Sequence, residues 1–538
     1  MTIAAQPSRY ASPDAGPHPA DVAPGWRLER VTAPSRLFGA NGLRTGPDGW
    51  IYIAQVTGSQ ISALDHRTGR LETVSATGGG IVAPDDVAFD ASGNLYATEV
   101  MDGRVSTLDT AGRTRVLRDD LPSANGITFY RDRLFVGECR EAGRLLELDP
   151  RGGPPRVLLE NVPSPNAMEA GPDGLLYFPV MGANAIWRVD PEGGEPQCVA
   201  GDLGVPDSVK FDPRGHIVST QVASGQVLRI DPRSGERRVL AQLTPGLDNC
   251  TLVGDRVLVS NFTGEITEIA PDGATRTVLP GGLNWPLDLT VGHDGKPYVA
   301  DGTFFSAVQP DGSLRTVGML FSPGYPGFVR GVVASGPGEF VVTTSGGQVS
   351  RYRPAAGETE VLADGFDQLY GVALGSGRVV FAEFGTGRVL SWAAGRIEVL
   401  AAGLRDPVGV AIDPDGACLV AESGAGRVVR ADGSGTIVTD LVRPQGLSVR
   451  DGVLYIVDAG AKEVIAFDLD TRVRRTIAAG LPIGPPAGVR PKPLKGMPPF
   501  SGPQGPFAGI AAAADGTLFV SADGDGSVLA LRRTGDGR

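Results

Sequence analysis

The chain has 538 residues, a formal net charge of −12 and 41% hydrophobic residues, with 77 Gly and 43 Pro. That length exceeds one ordinary domain, and negative charge spread without long runs argues against nucleic acid or an anionic membrane as partner. No stretch is long and apolar enough to span a bilayer as a helix, so a soluble, cytoplasmic protein handling a small molecule is expected.

Residues 1–25 are rich in Pro and Ala but lack a basic start and an apolar centre. They are expected to form a disordered tail, not a signal peptide. From Trp26 onward, runs of four to six residues rich in Val, Leu, Ile, Tyr and Phe alternate with Gly, Pro, Asp and Asn, which are strand and turn signals. A period near 40 residues with four strands per unit is the signature of a β-propeller blade. Twelve units are visible. Propellers typically hold about 4–8 blades, so the expected fold is all-β, with two tandem six-bladed rings over 26–283 and 284–538. The last unit ends without a fourth strand, and an extra strand (Trp26 to Thr32) precedes the first. The early strand is expected to close the first ring, and the strand at Thr275 to Leu279 the second, because closure removes exposed sheet edges.

One slot, just before a short apolar run, is polar throughout the first six units: Asn41, Asp85, Asn125, Asn166, Asp207 and Asp248, at steps of 44, 40, 41, 41 and 41 residues. The same slot in the next six holds Leu287, Arg330, Tyr370, Val408, Gln445 and Ala508. At the start of each innermost strand, such residues point at the central axis. Asn and Asp are also ordinary turn residues, yet the second half uses neither at the same place, so turn chemistry alone does not demand them. Three carboxylates converging in a channel must bind protons or a cation, and oxygen donors of this kind suit a hard divalent ion. Asp86 and Asn249 directly follow two of these positions.

The segments Ala124-Asn125-Gly126-Ile127, Pro165-Asn166-Ala167-Met168 and Pro206-Asp207-Ser208-Val209 resemble the regucalcin, gluconolactonase and luciferin-regenerating-enzyme family of six-bladed propellers, over roughly residues 35–280. The resemblance implies one axial divalent cation (calcium, zinc, manganese or magnesium), with Asn166 and Asp207 as ligands and Asn125 as a ligand or substrate contact. It also implies that Asp207 is the general acid/base of a metal-dependent hydrolase acting on a lactone or related ester. The family's first-blade Glu is replaced here by Asn41, a lost negative charge that Asp85 or Asp248 is placed to restore. A lyase, hydratase or isomerase on the same site, or a non-catalytic binding module, are the alternatives, since fold does not fix reaction.

The second strands of several units end in an acid followed by Arg: Glu99/Arg104, Glu138/Arg144, Glu383/Arg388 and Glu422/Arg427. Because both halves carry them, they are expected to pair structurally, and Asp301 and Asp458 share the slot. In the second half Arg330, Tyr370 and Gln445 are candidate contacts for an anionic or aromatic molecule, although a plugged, degenerate channel is the favoured expectation. A Pro-rich insertion over 481–506 and an apolar loop over 319–329 are expected at that channel's mouth, as lids or partner contacts. No axial slot is His, which argues against the chemistry of streptogramin-lyase-like propellers. Four scattered Cys (139, 198, 250, 418) point to buried thiols in a reducing compartment.

Overall fold

The second strand of each unit is the most apolar. Leu95–Glu99, Leu176–Val180 and Ile217–Gln221 are buried at every residue, whereas fourth strands such as Arg70–Ser75 and Thr114–Arg118 are largely exposed. A sheet covered on both faces needs a neighbour on each side, which is how blades stack around a ring. The computed structural model describes residues 9–10, 20–375 and 377–534. It consists of eleven four-stranded antiparallel sheets and one five-stranded sheet, the twelve blades of two six-bladed propellers. Turns repeat one device. Tyr177 donates its hydroxyl to Asp173 (2.8 Å) across the Gly171-Pro172-Asp173-Gly174 turn. A Cβ on Gly171 would meet the Tyr177 ring at 2.6 Å.

Two compact units divide the chain. One is Leu37–Gly281 together with Val489–Met497; the other is Met1–Arg36, Gly282–Gly488 and Pro498–Arg538. In the first ring every blade is four consecutive strands, from Leu43–Thr45 to Thr275–Leu279. The ring closes through side chains: Leu43, Ile51, Ile53 and Leu64 of its first blade share a core with Leu258, Ile266 and Leu279 of its sixth. Lys495, from the Pro-rich insertion, pairs with Asp102 at 3.5 Å within this unit.

The second ring closes differently, and here the strand assignment expected from sequence is reversed. Trp26–Arg30 pairs antiparallel with the chain's last strand, Ser527–Arg533. The early strand therefore completes the second ring. Thr275–Leu279 pairs with Ile266–Ile269 and belongs to the first. The physical reason is that the unpaired edge lies on the final three-stranded blade, and Trp26–Arg30, near the other end of the chain, is free to fill it. The N-terminal segment does more than that. Asp21–Val22 adds a fifth strand alongside Arg474–Ala479, and Arg9 and Tyr10 are buried. Disorder over 1–25 therefore does not hold for these parts; residues 1–8 and 11–19 lie outside the described residues.

Innermost strands share an irregularity that positions the axial residues. Pro84 pairs with Glu99 and Val87 with Ala97, but Asp85 and Asp86 between them have no cross-strand partner; the same skip falls at 124/127, 206/209 and 247/250. A bulge frees two consecutive residues from the ladder and re-aims their side chains. Neighbouring inner strands then meet directly near the axis, as in Gly42 N–H to Asp85 C=O at 2.7 Å.

Candidate axial site of the first ring

The bulges bring Asp85, Asn125, Asp207 and Asp248 into the interior; these and Asn166 are each no more than 8% exposed, with Asn41 less buried. The polar contacts link neighbours around the ring. Asn41 Nδ2 donates to Asp248 Oδ2 (3.0 Å) and Asn166 Nδ2 to Asp207 Oδ2 (2.9 Å). Asn125 hydrogen-bonds Asp85, and the Asp207 and Asp248 carboxyls hydrogen-bond each other. Two carboxyls in contact cannot both ionise cheaply. Burial, reinforced by the neighbouring carboxylates, accordingly holds Asp85 and Asp248 well above the carboxylate range. Burial likewise pushes Asp207 up to about 7. The Cys139 thiol beside them is also pushed up, by burial and then by the three carboxylates, so it is no nucleophile.

The amide oxygens distinguish the three Asn residues. Asn166 Oδ1 accepts the Ala167 N–H at 2.8 Å, and Asn41 Oδ1 the Val56 N–H at 3.2 Å. Asn125 Oδ1 is buried and accepts nothing. A buried polar atom without a partner is costly and asks for a ligand. Among the described residues no three His, Cys, Asp or Glu side chains form a preformed cation cage, so a cation held here takes amide as well as carboxylate oxygens. Three buried carboxyls, an unclaimed amide oxygen and no nitrogen ligand fit a hard divalent ion.

The second members of the bulge pairs are structural. Asp86 accepts the Val87 N–H (2.8 Å) and, from the next blade, the Ile127 N–H (3.3 Å). Asn249 donates to Asp86 at 3.4 Å. Further along the inner strands lies a polar layer that the axial series did not announce. Arg44 donates to Glu169 (2.6 Å), to Val87 C=O (3.0 Å) and to Ile127 C=O (2.9 Å), while Lys210 lies 3.4 Å from Glu169. These positions sit three residues after Asn41, Asn166 and Asp207, so the same alignment, read three residues on, reveals them. A cavity of about 290 Å³ lined by Arg44, Phe89, Thr128, Phe129 and Glu169 opens at this layer and not at the carboxylate ring.

The acid–Arg pairs are braces within blades. Arg104 meets Glu99 at 2.5 Å, Arg388 meets Glu383 at 2.6 Å and Arg427 meets Glu422 at 2.5 Å, while Arg144 pairs with Glu138. The acids also hold backbone N–H groups of the preceding loop, as Asp301 does for Asn284 (2.8 Å) and Asp458 for Arg443 (2.8 Å).

At the axis of the second ring Leu287, Val408 and Ala508 are buried and apolar. Gln445 Oε1 accepts the Ala508 N–H at 2.7 Å, which ties adjacent blades together. Arg330 is 1% exposed and lies 4.3 Å from the Tyr370 ring centre and 5.6 Å from that of Trp285. The Pro-rich insertion reaches this mouth: Gly505 C=O accepts from Arg330 Nη2 at 2.6 Å. Phe500 of the insertion meets Phe321 of the apolar loop, ring centres 5.8 Å apart. Of the four cysteines, all free, Cys139, Cys250 and Cys418 are buried; Cys198 is exposed, against expectation, because it lies on an outer strand, Gln197–Ala200.

Residues 40–258, nearly the whole first ring, match the family model described as SMP-30/Gluconolactonase/LRE-like region, which bears out the resemblance carried by Asn125, Asn166 and Asp207. Similar solved structures include a streptogramin B lyase (19% identity, 51% of this chain and 94% of that one, TM-score 0.39). Also similar is a virginiamycin B lyase from Staphylococcus aureus (15%, 51% and 96%, 0.38). A gluconolactonase from Xanthomonas campestris is a third (15%, 49% and 96%, 0.37). No curated protein matches the chain. No helix of the described residues is long and apolar enough to cross a membrane.

Proposed function

We propose that the first ring is a divalent-metal-dependent hydrolase of a lactone or related ester, acting at its carboxylate ring. The observation that carries this reading is the unclaimed, buried Asn125 Oδ1 on the same ring as three carboxyls whose pKa values burial raises. The family description matched by residues 40–258, which names gluconolactonase, supports a lactone as the substrate class. Asp85, Asp207 and Asp248, with Asn125, Asn166 and Asn41, would hold a calcium, manganese, zinc or magnesium ion. When bound, such an ion supplies positive charge that polarises a carbonyl and acidifies water.

The remaining work falls to the chain itself. Asp207 is the general base, taking a proton from the attacking water and returning it to the leaving alkoxide. Asn166, through Nδ2 on Asp207 Oδ2, fixes the orientation of the carboxyl. Asn125 orients the substrate or shares in holding the ion. The free cysteines agree with a reducing, cytoplasmic setting, and the dispersed negative charge with a small-molecule partner in place of nucleic acid or membrane. Elemental analysis of wild type beside Asp207→Ala, followed by a lactone and ester screen, tests the proposal. Near one divalent ion per chain, lost in the variant together with turnover, is expected. Absence of bound metal after calcium, manganese and zinc are offered sinks it.

A further inference from the structure

Arg330 presents an electrostatic anomaly. Its guanidinium stays charged in any protein, it is 1% exposed, and no carboxylate of the described residues forms an ion pair with it. Buried cations are normally paired. Its compensation here is two aromatic faces, Tyr370 at 4.3 Å and Trp285 at 5.6 Å, a side-chain hydrogen bond with Tyr370, and one carbonyl, Gly505 at 2.6 Å on Nη2. Nη1 is buried with no hydrogen-bond partner.

A second observation concerns the residue beside Gly505. Gln504, next in sequence to Gly505, is 3% exposed, and both its amide nitrogen and its amide oxygen are buried without partners. Whichever way the amide is turned, one donor and one acceptor are left over. Arg330 and Gln504 thus leave over a cationic donor, a neutral donor and one acceptor, in a ring whose axial slots include the apolar Leu287 and Ala508.

We propose that the mouth of the second ring, under the end of the Pro-rich insertion, binds a small hydroxycarboxylate. The carboxylate accepts from Arg330 Nη1 and Gln504 Nε2, and the hydroxyl donates to Gln504 Oε1. A single fixed positive charge suits a monovalent anion with a carbon skeleton better than a phosphate dianion, which needs a second cation or more water. The site lies in the other ring from the proposed hydrolase centre and does not rest on that reading.

The test is calorimetric titration of the full chain with lactate, acetate and inorganic phosphate, for wild type, Arg330→Met, Gln504→Ala and Asp207→Asn. Saturable lactate binding is expected in wild type. Acetate, which cannot fill the amide acceptor, should bind about tenfold more weakly. Binding should be lost in Arg330→Met, weakened in Gln504→Ala and unchanged in Asp207→Asn. Circular dichroism checks the fold of each variant; if Arg330→Met does not fold, Gln504→Ala and the lactate-to-acetate ratio carry the test. No saturable lactate binding to wild type overturns the proposal and leaves water as the occupant. Phosphate binding more tightly than lactate overturns the ligand class. Affinity unchanged in Gln504→Ala, or lost in Asp207→Asn, overturns the location.

Discussion

A carboxyl whose folded-state pKa is raised binds its proton more tightly folded than unfolded. Asp207, pushed up to about 7 by burial, therefore contributes stability that is complete below the ordinary carboxylate range. That stability is lost as pH rises from there through about 7. Asp85 and Asp248 act in the same direction. In chelator, the first ring's thermal midpoint is accordingly expected to fall between about pH 4 and pH 7, with a shallower fall in Asp207→Asn. Adding a divalent ion should restore the midpoint at the alkaline end, because the ionised carboxylates then have a partner. A midpoint that rises over this window in chelator would show the three carboxyls already ionised and paired. Asn125→Leu addresses the unclaimed oxygen directly. It removes one donor to the ion without touching a carboxylate, so affinity should drop about 10–100-fold, equivalent to about 1.5–3 kcal/mol for one charged contact. Equilibrium dialysis with the chosen metal reads it, and unchanged affinity would remove Asn125 from the donor set.

At the scale of strands, the axial bulges and the glycines beside them set how open each channel is. The residue after the axial one is Gly42, Asp86, Gly126, Ala167, Ser208 and Asn249 in the first ring, but Asp288 and then Gly331, Gly371, Gly409, Gly446 and Gly509 in the second. Inner strands in the second ring therefore approach closely: a Cβ on Gly409 would lie 2.0 Å from Gln445 O. Gly409→Ala must push two inner strands apart and is expected to destabilise the second ring by about 1–3 kcal/mol, the usual cost of overpacking. Chemical denaturation followed through tryptophan fluorescence measures it. Blade count, ring division and the axial series were legible in sequence because each rests on short-range alternation repeated at a fixed period. Strand closure was not. The pairing of Trp26–Arg30 with Ser527–Arg533 joins the two ends of the described chain, and a terminal strand carries no local mark of its partner. The Arg44, Glu169 and Lys210 layer escaped notice because its residues differ in chemical type, so no repeated letter draws attention to the slot.

For the molecule as a whole, the described connectivity makes the first ring an insertion within the second. The second ring takes strands from both sides of residues 37–281, and Ser35 and Gly282, which flank that segment, are in contact: a Cβ on Gly282 would lie 3.1 Å from Ser35 Cβ. Among the described residues the inserted ring borrows no strand from outside, and Leu37 near its start shares a core with Leu279 near its end. A segment with its own closed core and adjacent ends meets the physical requirements for folding alone. Residues 37–281 expressed by themselves are thus expected to fold, to bind a divalent ion with the affinity of the full chain and to unfold in one ion-sensitive transition. Removing residues 1–32 from the full chain should have the opposite selectivity. It strips the outer strand from the last blade and bares the edge of Ser527–Arg533, so an ion-insensitive transition should move down by several degrees while the ion-sensitive one stays in place. Differential scanning calorimetry with and without chelator separates the two. A fragment 37–281 that stays unfolded, or a truncation that lowers both transitions equally, would show that the rings fold as one cooperative unit.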